Sequence, residues 1–515
     1  MHKPKLIYYN DSRHYSFYRY DPPMSLHQLR QPVDEILGTG VDTLFYGLAS
    51  GQTFLHDSQV GAKWGEGVEA HNHGVMWWRA SENLNRAVAA GHDPLKAVIS
   101  RAREKGLQIL CSLRMNDPSD ETSGNFYMLS RLKREHPEVM IGEADENNPH
   151  AATCADFARP EVRQERLSVI EEVCDRYGAD GLEMDPYVRV FFKPSEARQN
   201  APVLTDFVRE VRDLLDRVGK KRGDTLCLAA RVHPAEEANL EVGMDVRTWL
   251  SEGLVNLVVP HQQSFLFDGE MQVDWLVDVA KDTGAWVYVP LKGVPYDDRH
   301  HKPTIEMFRA AATNYYAMGA DGMYLSDLPW PHTGREYQIL REMGDPDIFA
   351  RKAKHYFIAR EEAKPEPFAA ERCLPVNLVQ GVPARVSLLV GDGLETARHD
   401  GELDGVTLGV RVVQYCPEDR LSFQFNGEVI SPARVSHFYG GIAAYSAARG
   451  GLPERIDTHY WFSFDLPLGL MLEGQNELVV TLERHFELLQ AVRVLHQAEL
   501  CIAYKAPFRV TGGQM

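Results

Sequence analysis

Residues 177–189 read Y-G-A-D-G-L-E-M-D-P-Y-V-R, an apolar run that ends in acidic residues and breaks at Pro186. Alternation with period two sends Leu182 and Met184 to one face of a strand over Gly181–Asp185, and Glu183 and Asp185 to the other. Such a strand needs apolar cover on one side and tolerance of two carboxylates on the other. A closed parallel barrel wrapped in helices supplies both, because the outer strand face packs on helices and the inner face opens at the C-terminal rim. Asp185, last in the strand, belongs at that rim, and Glu183 lies one inward step below it, roughly 6–7 Å away at Cα.

Working outward, seven further apolar runs alternate with helix-period segments: Leu6–Tyr9, Asp42–Gly47, Gln108–Arg114, Thr225–Val232, Val255–Pro260, Trp286–Leu291 and Gly322–Ser326. The intervening segments predict helices over Leu26–Leu37, Pro94–Lys105, Pro160–Tyr177, Val203–Val218, Val246–Glu252, Val273–Asp282 and Thr304–Met318. Gly106, Gly178, Gly284 and Gly319 each follow a helix and precede a strand, as left-handed C-terminal stops do. Eight strand-helix units close a (β/α)8 TIM barrel. The connection from about Gly51 to about His92, containing W-G-E-G-V-E-A-H-N-H-G-V-M-W-W-R, is too long for a simple turn and is expected to shape the substrate site.

After Asp327 the pattern changes. A helical tail around Ile348–Glu362 and the Pro-rich A-K-P-E-P-F lead into β-type alternation lasting to the end. Strands are expected at Arg385–Val390, Thr407–Val413, Trp461–Phe464, Glu477–Leu482 and Ala498–Tyr504, with a type I′ hairpin on Asn426-Gly427. The chain therefore divides into a catalytic barrel over 1–345, a helical linker over 346–372, and an all-β sandwich of jelly-roll kind over 373–515.

Composition narrows the function. At 515 residues, 44% hydrophobic and 25% charged, the chain has ordinary globular values, and it holds no uninterrupted apolar stretch of membrane-helix length. A formal charge of −18 argues against a nucleic-acid backbone as partner and favours a neutral or polar small substrate such as an oligosaccharide or glycoside. The start MHKPKLIYYN lacks the features of a signal peptide, which reads as cytoplasmic. The seven cysteines, Cys111, Cys154, Cys174, Cys227, Cys373, Cys416 and Cys501, form no C-x-x-C pair and read mostly as small buried hydrophobes. No metal and no cofactor is expected: His71, His73 and Glu69 share one loop without a distant further ligand. Phosphate-loop, dinucleotide, nucleophile-elbow and H-E-x-x-H signatures are missing. Association into a homo-oligomer is left open.

The parity argument enriches the other strand ends in polar groups. Strand three offers Arg114 and Asn116, strand five Arg231 and His233, strand six His261 and Gln263, and strand eight Asp327 and Trp330. With Tyr187, His71 and His73 these form the expected substrate-binding set, Trp330 being suited to stack on a sugar face. Lys292 ends strand seven. For Glu183 a second reading is an internal ion pair with an arginine of a neighbouring strand, which would only orient the site.

At A-D-G-L-E-M-D-P-Y-V-R the chain resembles the family-ten-like glycosyl hydrolases of bacteria, whose fourth strand reads approximately D-G-[IL]-x-[FL]-D followed by an aromatic residue and an arginine. Asp180, Gly181, Leu182, Asp185, Tyr187 and Arg189 match. It also looks like the D-G-x-D-x-D-x-E strand of chitinase-type barrels, except that Tyr187 stands where their acidic glutamate would be. The Asn-Glu pair of true family-ten enzymes is absent, and strand seven ends V-P-L-K-G without a glutamate. The resemblance covers about residues 1–345 and implies glycoside-bond hydrolysis with Asp185 and Glu183 in the site. Such chemistry needs a proton donor beside a carboxylate that acts as nucleophile or base. Asp185 is the carboxylate; the donor is Glu183 first and Asp327 second. The competing readings are a non-catalytic carbohydrate-binding barrel, and a lyase or isomerase using His233 or His261 as base. The sandwich is expected to support the barrel or its association and to supply no catalytic acid, although aromatics such as Tyr439 and Tyr460 would be available near a site.

Overall fold

A computed structural model describes residues 2–50, 52–69, 71, 74–118, 127–146, 148–262, 267–293, 299, 302–358, 372–438 and 459–505. Eight parallel strands close a barrel: β1 (Leu6–Asn10), β2 (Thr43–Gly47), β3 (Gln108–Arg114), β4 (Gly181–Asp185), β5 (Cys227–Val232), β6 (Leu257–Pro260), β7 (Trp286–Leu291) and β8 (Gly322–Leu325). Each strand pairs with its neighbours in sequence, and β8 returns to β1 with Leu6 opposite Met323. The side-chain parity is as the sequence dictates. Leu182 and Met184 point outward into the helix layer, while Ile7, Phe45, Leu110, Ala229, Val259 and Tyr288 fill the interior.

The helix boundaries follow from local chemistry. Asp93 caps Pro94–Lys105 by accepting from the Lys96 amide, Pro94 occupies the first turn where its missing N–H costs nothing, and Gly106 ends the helix at φ 72°. Gly178, Gly284 and Gly319 likewise sit at φ 77°, 76° and 96°. The helix Pro160–Glu171 finishes in a π-type turn over Glu172–Arg176. The helix after β8 is Gly334–Glu342, closed by a capping box between Thr333 and Glu336. The long connection after β2 is structured. It contributes short strands at Thr53–Phe54 and Ala62–Lys63 and the helix Val75–Ala89, gathered on a separate apolar cluster with Trp64, Tyr127 and Phe17.

The C-terminal part is a two-sheet antiparallel sandwich. Its strands are β9 (Lys354–Phe357), β10 (Val376–Leu378), β11 (Pro383–Val390), β12 (Leu403–Val413), β13 (Arg420–Phe425), β14 (Glu428–Ile430), β15 (Arg434–Phe438), β16 (His459–Asp465), β17 (Gly474–Arg484) and β18 (Arg493–Tyr504). One sheet runs β9-β18-β12-β16-β15 with β10 also on β18, and the other runs β11-β17-β13-β14. The Asn426-Gly427 hairpin has φ 49° and 84°, the paired positive values of a type I′ turn, and joins Phe425 to Glu428.

The expected helical tail around Ile348–Glu362 is corrected. Only Pro346–Phe349 is helical, and Lys354–Phe357 forms β9; residues 359–371 lie outside the described residues. The alternating K-H-Y-F finds an antiparallel partner in β18, and a paired strand outweighs weak helical periodicity there. Tyr460 is half-buried against the sandwich core instead of exposed, and Tyr439 lies outside the described residues. Cys111, Cys154, Cys174 and Cys227 are buried as expected, whereas Cys373 and Cys501 are exposed.

The sandwich is seated on the barrel helix Ile305–Ala317. Ala310 of that helix belongs to the sandwich core, and the Asn314 amide donates to the carbonyls of Gly269 and Leu389 and accepts from Gly391 N–H. Glu270 accepts from Leu389 N–H at 3.0 Å.

Candidate active site at the barrel mouth

The top of the barrel interior is a buried ionic layer. Arg231, projecting inward from β5, donates from Nε and Nη2 to the two oxygens of Glu183, both at 3.0 Å, and from Nη2 to Tyr324 Oη at 2.6 Å. Its Nη1 lies 3.2 Å from Asp185 Oδ2. The guanidinium also sits 4.3 Å from the centre of the Tyr9 ring, which stacks on Tyr324. Burial opposes a charge on Arg231, but Asp185 and Glu183 outweigh it and hold the guanidinium charged. Burial, with the charge of Asp185 added, pushes Glu183 above the usual carboxylate range despite Arg231.

This arrangement separates the two carboxylates that strand parity had put together. Glu183 is 0% exposed with both oxygens taken by Arg231, so the ion pair anticipated as its second reading is present, and no substrate reaches it as a proton donor. Asp185 is the upper one. Its Oδ1 accepts the Tyr187 amide at 2.9 Å, and Oδ2 faces Arg231 toward the mouth. Arg114 stands beside it at the end of β3, its guanidinium 3.8 Å from the Tyr187 ring centre and 2.8 Å from Asp117. The carboxylates of Asp117 and Asp185 keep Arg114 charged against burial.

Backbone strain collects at the same rim. Six described non-glycine residues have positive φ, and four of them, Ser12, Tyr187, Arg189 and Asp327, lie just after β1, β4 and β8. Side chains are rarely held in that region unless surrounding contacts fix them, and such residues concentrate where geometry serves a ligand. For Arg189 the fixing contact is its Nη2 donating to the carbonyl of His261.

The remaining expected residues divide. His233 is buried; its Nδ1 accepts the Ala235 amide at 2.9 Å, which places the proton of the neutral ring on Nε2. His261 is half-buried at the end of β6. Burial, then Lys292, Arg231, Arg189 and His233, hold its imidazole well below the usual range. Asp327 is exposed at the rim, accepting from Ser326 Oγ at 3.3 Å.

Asn116 does not face the mouth. It is fully buried, donates to the carbonyls of Ala155 and Val190, and accepts from Ala155 N–H and Gln52 Nε2. Its side chain is used up in tying loops together, because β3 ends at Arg114 and the parity argument stops with it. Trp330 is 39% exposed, but its indole N–H donates to Glu35 at 3.1 Å and the Arg19 guanidinium lies 3.4 Å from its ring centre. One ring face is therefore covered. His71 lies on the β2 insertion against Tyr127. Gln263 and His73 lie outside the described residues.

Two acids went unnoticed in the sequence. Asp11 follows β1; burial pushes its carboxyl up, but the His14 hydrogen bond and the charges of His14, Arg13 and Arg114 prevail and hold it below the usual range. Glu35 is 5% exposed between Trp330, Asn10 and Arg19, and burial pushes it up to about 7. Asp11 was legible as a carboxylate directly after a barrel strand. Glu35 sits at the end of a helix and carried no signal.

The fold and mouth define a (β/α)8 barrel whose strand ends converge on an Asp185–Arg231–Glu183 assembly. No family model and no curated protein matches the chain, so the family-ten-like resemblance stands on the strand-four motif alone. Among solved structures the chain is similar to a noncanonic maltogenic alpha-amylase from Thermotoga neapolitana, at 12% identity and TM-score 0.39, covering 93% of this chain and 98% of that one. It is also similar to an alpha-L-fucosidase isoenzyme from Paenibacillus thiaminolyticus, at 12% identity and TM-score 0.40, and to an alpha-galactosidase from Lactobacillus brevis, at 10% and 0.39. The chain spans 51% of the fucosidase and 56% of the galactosidase.

Proposed function

We propose that this chain is a glycoside hydrolase acting at the mouth of its barrel, with Asp185 as the carboxylate that attacks the sugar or activates water. The observation that carries the reading is the division of labour on β4: Glu183 lies fully buried against Arg231, while Asp185, held by the Tyr187 amide and Arg231 Nη1, stands above it at the C-terminal end where barrel enzymes do chemistry. The strand-four resemblance supports the same chemistry. Arg231 keeps Asp185 oriented, and a carboxylate so held needs no reorganisation as positive charge develops at the sugar's anomeric carbon. The proton donor must be another rim acid. Asp11 is held ionised by His14 and its cationic neighbours and is a poor donor. Asp327, exposed on the strained turn after β8, is assigned that role. The test is turnover of a panel of aryl glycosides and labelled oligosaccharides by wild type, Asp185→Asn and Asp327→Asn. Loss of about a thousandfold in both variants is expected. Activity within about tenfold of wild type in Asp185→Asn sinks the assignment.

One observation favours a second reading, elimination instead of hydrolysis. His261 is kept neutral among cations, which is the state of a general base that removes a proton next to a sugar carboxylate. The electrons left behind would form a carbon-carbon double bond as the glycosidic C–O bond breaks. An ultraviolet-absorbing unsaturated product separates this outcome from hydrolysis.

A further inference from the structure

The mouth is polarised. The acids it holds come from β1, β4 and β8: Asp185 ends β4, and Asp11 and Asp327 follow β1 and β8. The opposite arc, β5 to β7, behaves differently. On β5 Cys227, Ala229 and Arg231 face inward and His233 directly follows the strand; on β6 Leu257 and Val259 face inward and His261 directly follows; on β7 Trp286 and Tyr288 face inward and Lys292 directly follows. The registers Ala229 with Leu257 and Trp286 with Leu257 set these three strands side by side at matching heights. Arg189 enters the same arc from the loop after β4, anchored on the His261 carbonyl. Lys292 and Arg189 are each 8% exposed, and His233 is 3% exposed. After burial, the nearby groups that hold the His261 imidazole low are Lys292, Arg231, Arg189 and His233.

We infer that the β5–β7 arc is a binding subsite for an anionic sugar, a uronate carboxylate or a sulfate ester, seated between Lys292, Arg189 and the ring N–H of His233. The inference rests on the glycoside reading, because it specifies which sugar the mouth takes. Guanidinium and ammonium groups lowered from bulk water bind a carboxylate or sulfate with charge-assisted hydrogen bonds, which are stronger than those to a neutral hydroxyl. An anion on this side lays the rest of the sugar toward Asp185 across the mouth.

The experiment is calorimetric titration of the full-length Asp185→Asn protein with three oligosaccharides of equal length, one of uronates, one sulfated and one neutral, with wild-type turnover of the same three followed alongside. The expected result is that an anionic ligand binds at least about tenfold more tightly than the neutral one, that its affinity falls with added salt, and that Lys292→Gln weakens it about tenfold or more while Lys292→Arg restores it. Which anionic ligand wins assigns carboxylate or sulfate. Neutral oligosaccharide bound or cleaved as well as both anionic ones overturns this inference and leaves the glycoside reading standing. An anionic preference that survives in a folded Lys292→Gln protein removes the subsite from this arc. Failure of the protein to bind or cleave any of the three removes the glycoside reading, and the subsite with it.

Discussion

Glu183→Gln tests the division of labour on β4. The native carboxylate is fully buried and accepts two bonds from Arg231 at 3.0 Å and one from Tyr324 Oη at 3.3 Å. Glutamine offers one acceptor oxygen and one NH2 group, so one oxygen position now presents a donor to a guanidinium that can only donate. One charge-assisted hydrogen bond is lost, about 1.5–3 kcal/mol, and a buried donor is left poorly paired, about 1–3 kcal/mol. Asp185 remains on Arg231 Nη1, so the arginine is not stranded, and the total stays below the sum of the upper limits, at about 3 kcal/mol. Asp185→Asn, whose Oδ1 still accepts the Tyr187 amide, is expected to cost about 1–2 kcal/mol. Urea denaturation followed by tryptophan fluorescence reads both, with the midpoint shift converted at constant slope. Turnover should fall in the opposite order, by no more than about a hundredfold for Glu183→Gln and by about a thousandfold for Asp185→Asn. A Glu183→Gln protein as stable as wild type and as inactive as Asp185→Asn would refute the reasoning, since it would make Glu183 the proton donor.

Glu35→Gln should become the more stable protein as pH rises. The folded carboxyl titrates near 7 and the unfolded one near 4.5, so the folded wild type holds a proton that the unfolded chain has released, and its stability relative to the variant falls through this window by roughly 3 kcal/mol. Melting curves of both proteins at pH 5 and pH 8 check it; a constant difference contradicts the assigned burial effect. Asn116→Ala, which removes four internal hydrogen bonds, should destabilise by about 3 kcal/mol while leaving KM unchanged in whatever activity is found, so a raised KM at full stability would return Asn116 to the mouth. Asn314→Ala, which removes two bonds across the seam between barrel and sandwich and one to Gly269 within the barrel, should cost about 2–3 kcal/mol and expose the seam to limited proteolysis; an unchanged digestion pattern argues that the other contacts hold it.

The barrel was legible because its signals are local and repeat. β3, β4 and β7 start and stop where the sequence reading put them, since parity, apolar runs and glycine stops agree at each. β9 was not legible: Lys354–Phe357 is a strand only because β18, more than a hundred residues later, pairs with it. The mouth divides in the same way. Parity placed Asp185 and Arg231 while the strand lasted and misplaced Asn116 as soon as β3 had ended. Glu183 was ambiguous because two positions on one strand are equivalent by parity; only the arrival of Arg231 from β5 separates them. Trp330 failed for another reason, since its covering Arg19 comes from a loop more than three hundred residues earlier in the chain.

The seating of the sandwich on Ile305–Ala317 has a consequence for synthesis. All eight barrel strands are complete by Leu325, so a nascent chain can close the barrel while the ribosome is still working through the remainder. Yet the outer side of that helix is covered by β9, and β9 has no partner until Arg493–Tyr504 has emerged. For the time taken to translate more than a hundred and thirty residues, a finished barrel therefore carries an unpaired strand and an apolar patch at its flank. Chaperone occupancy during translation should peak after Leu325 leaves the exit tunnel and fall only when β18 arrives.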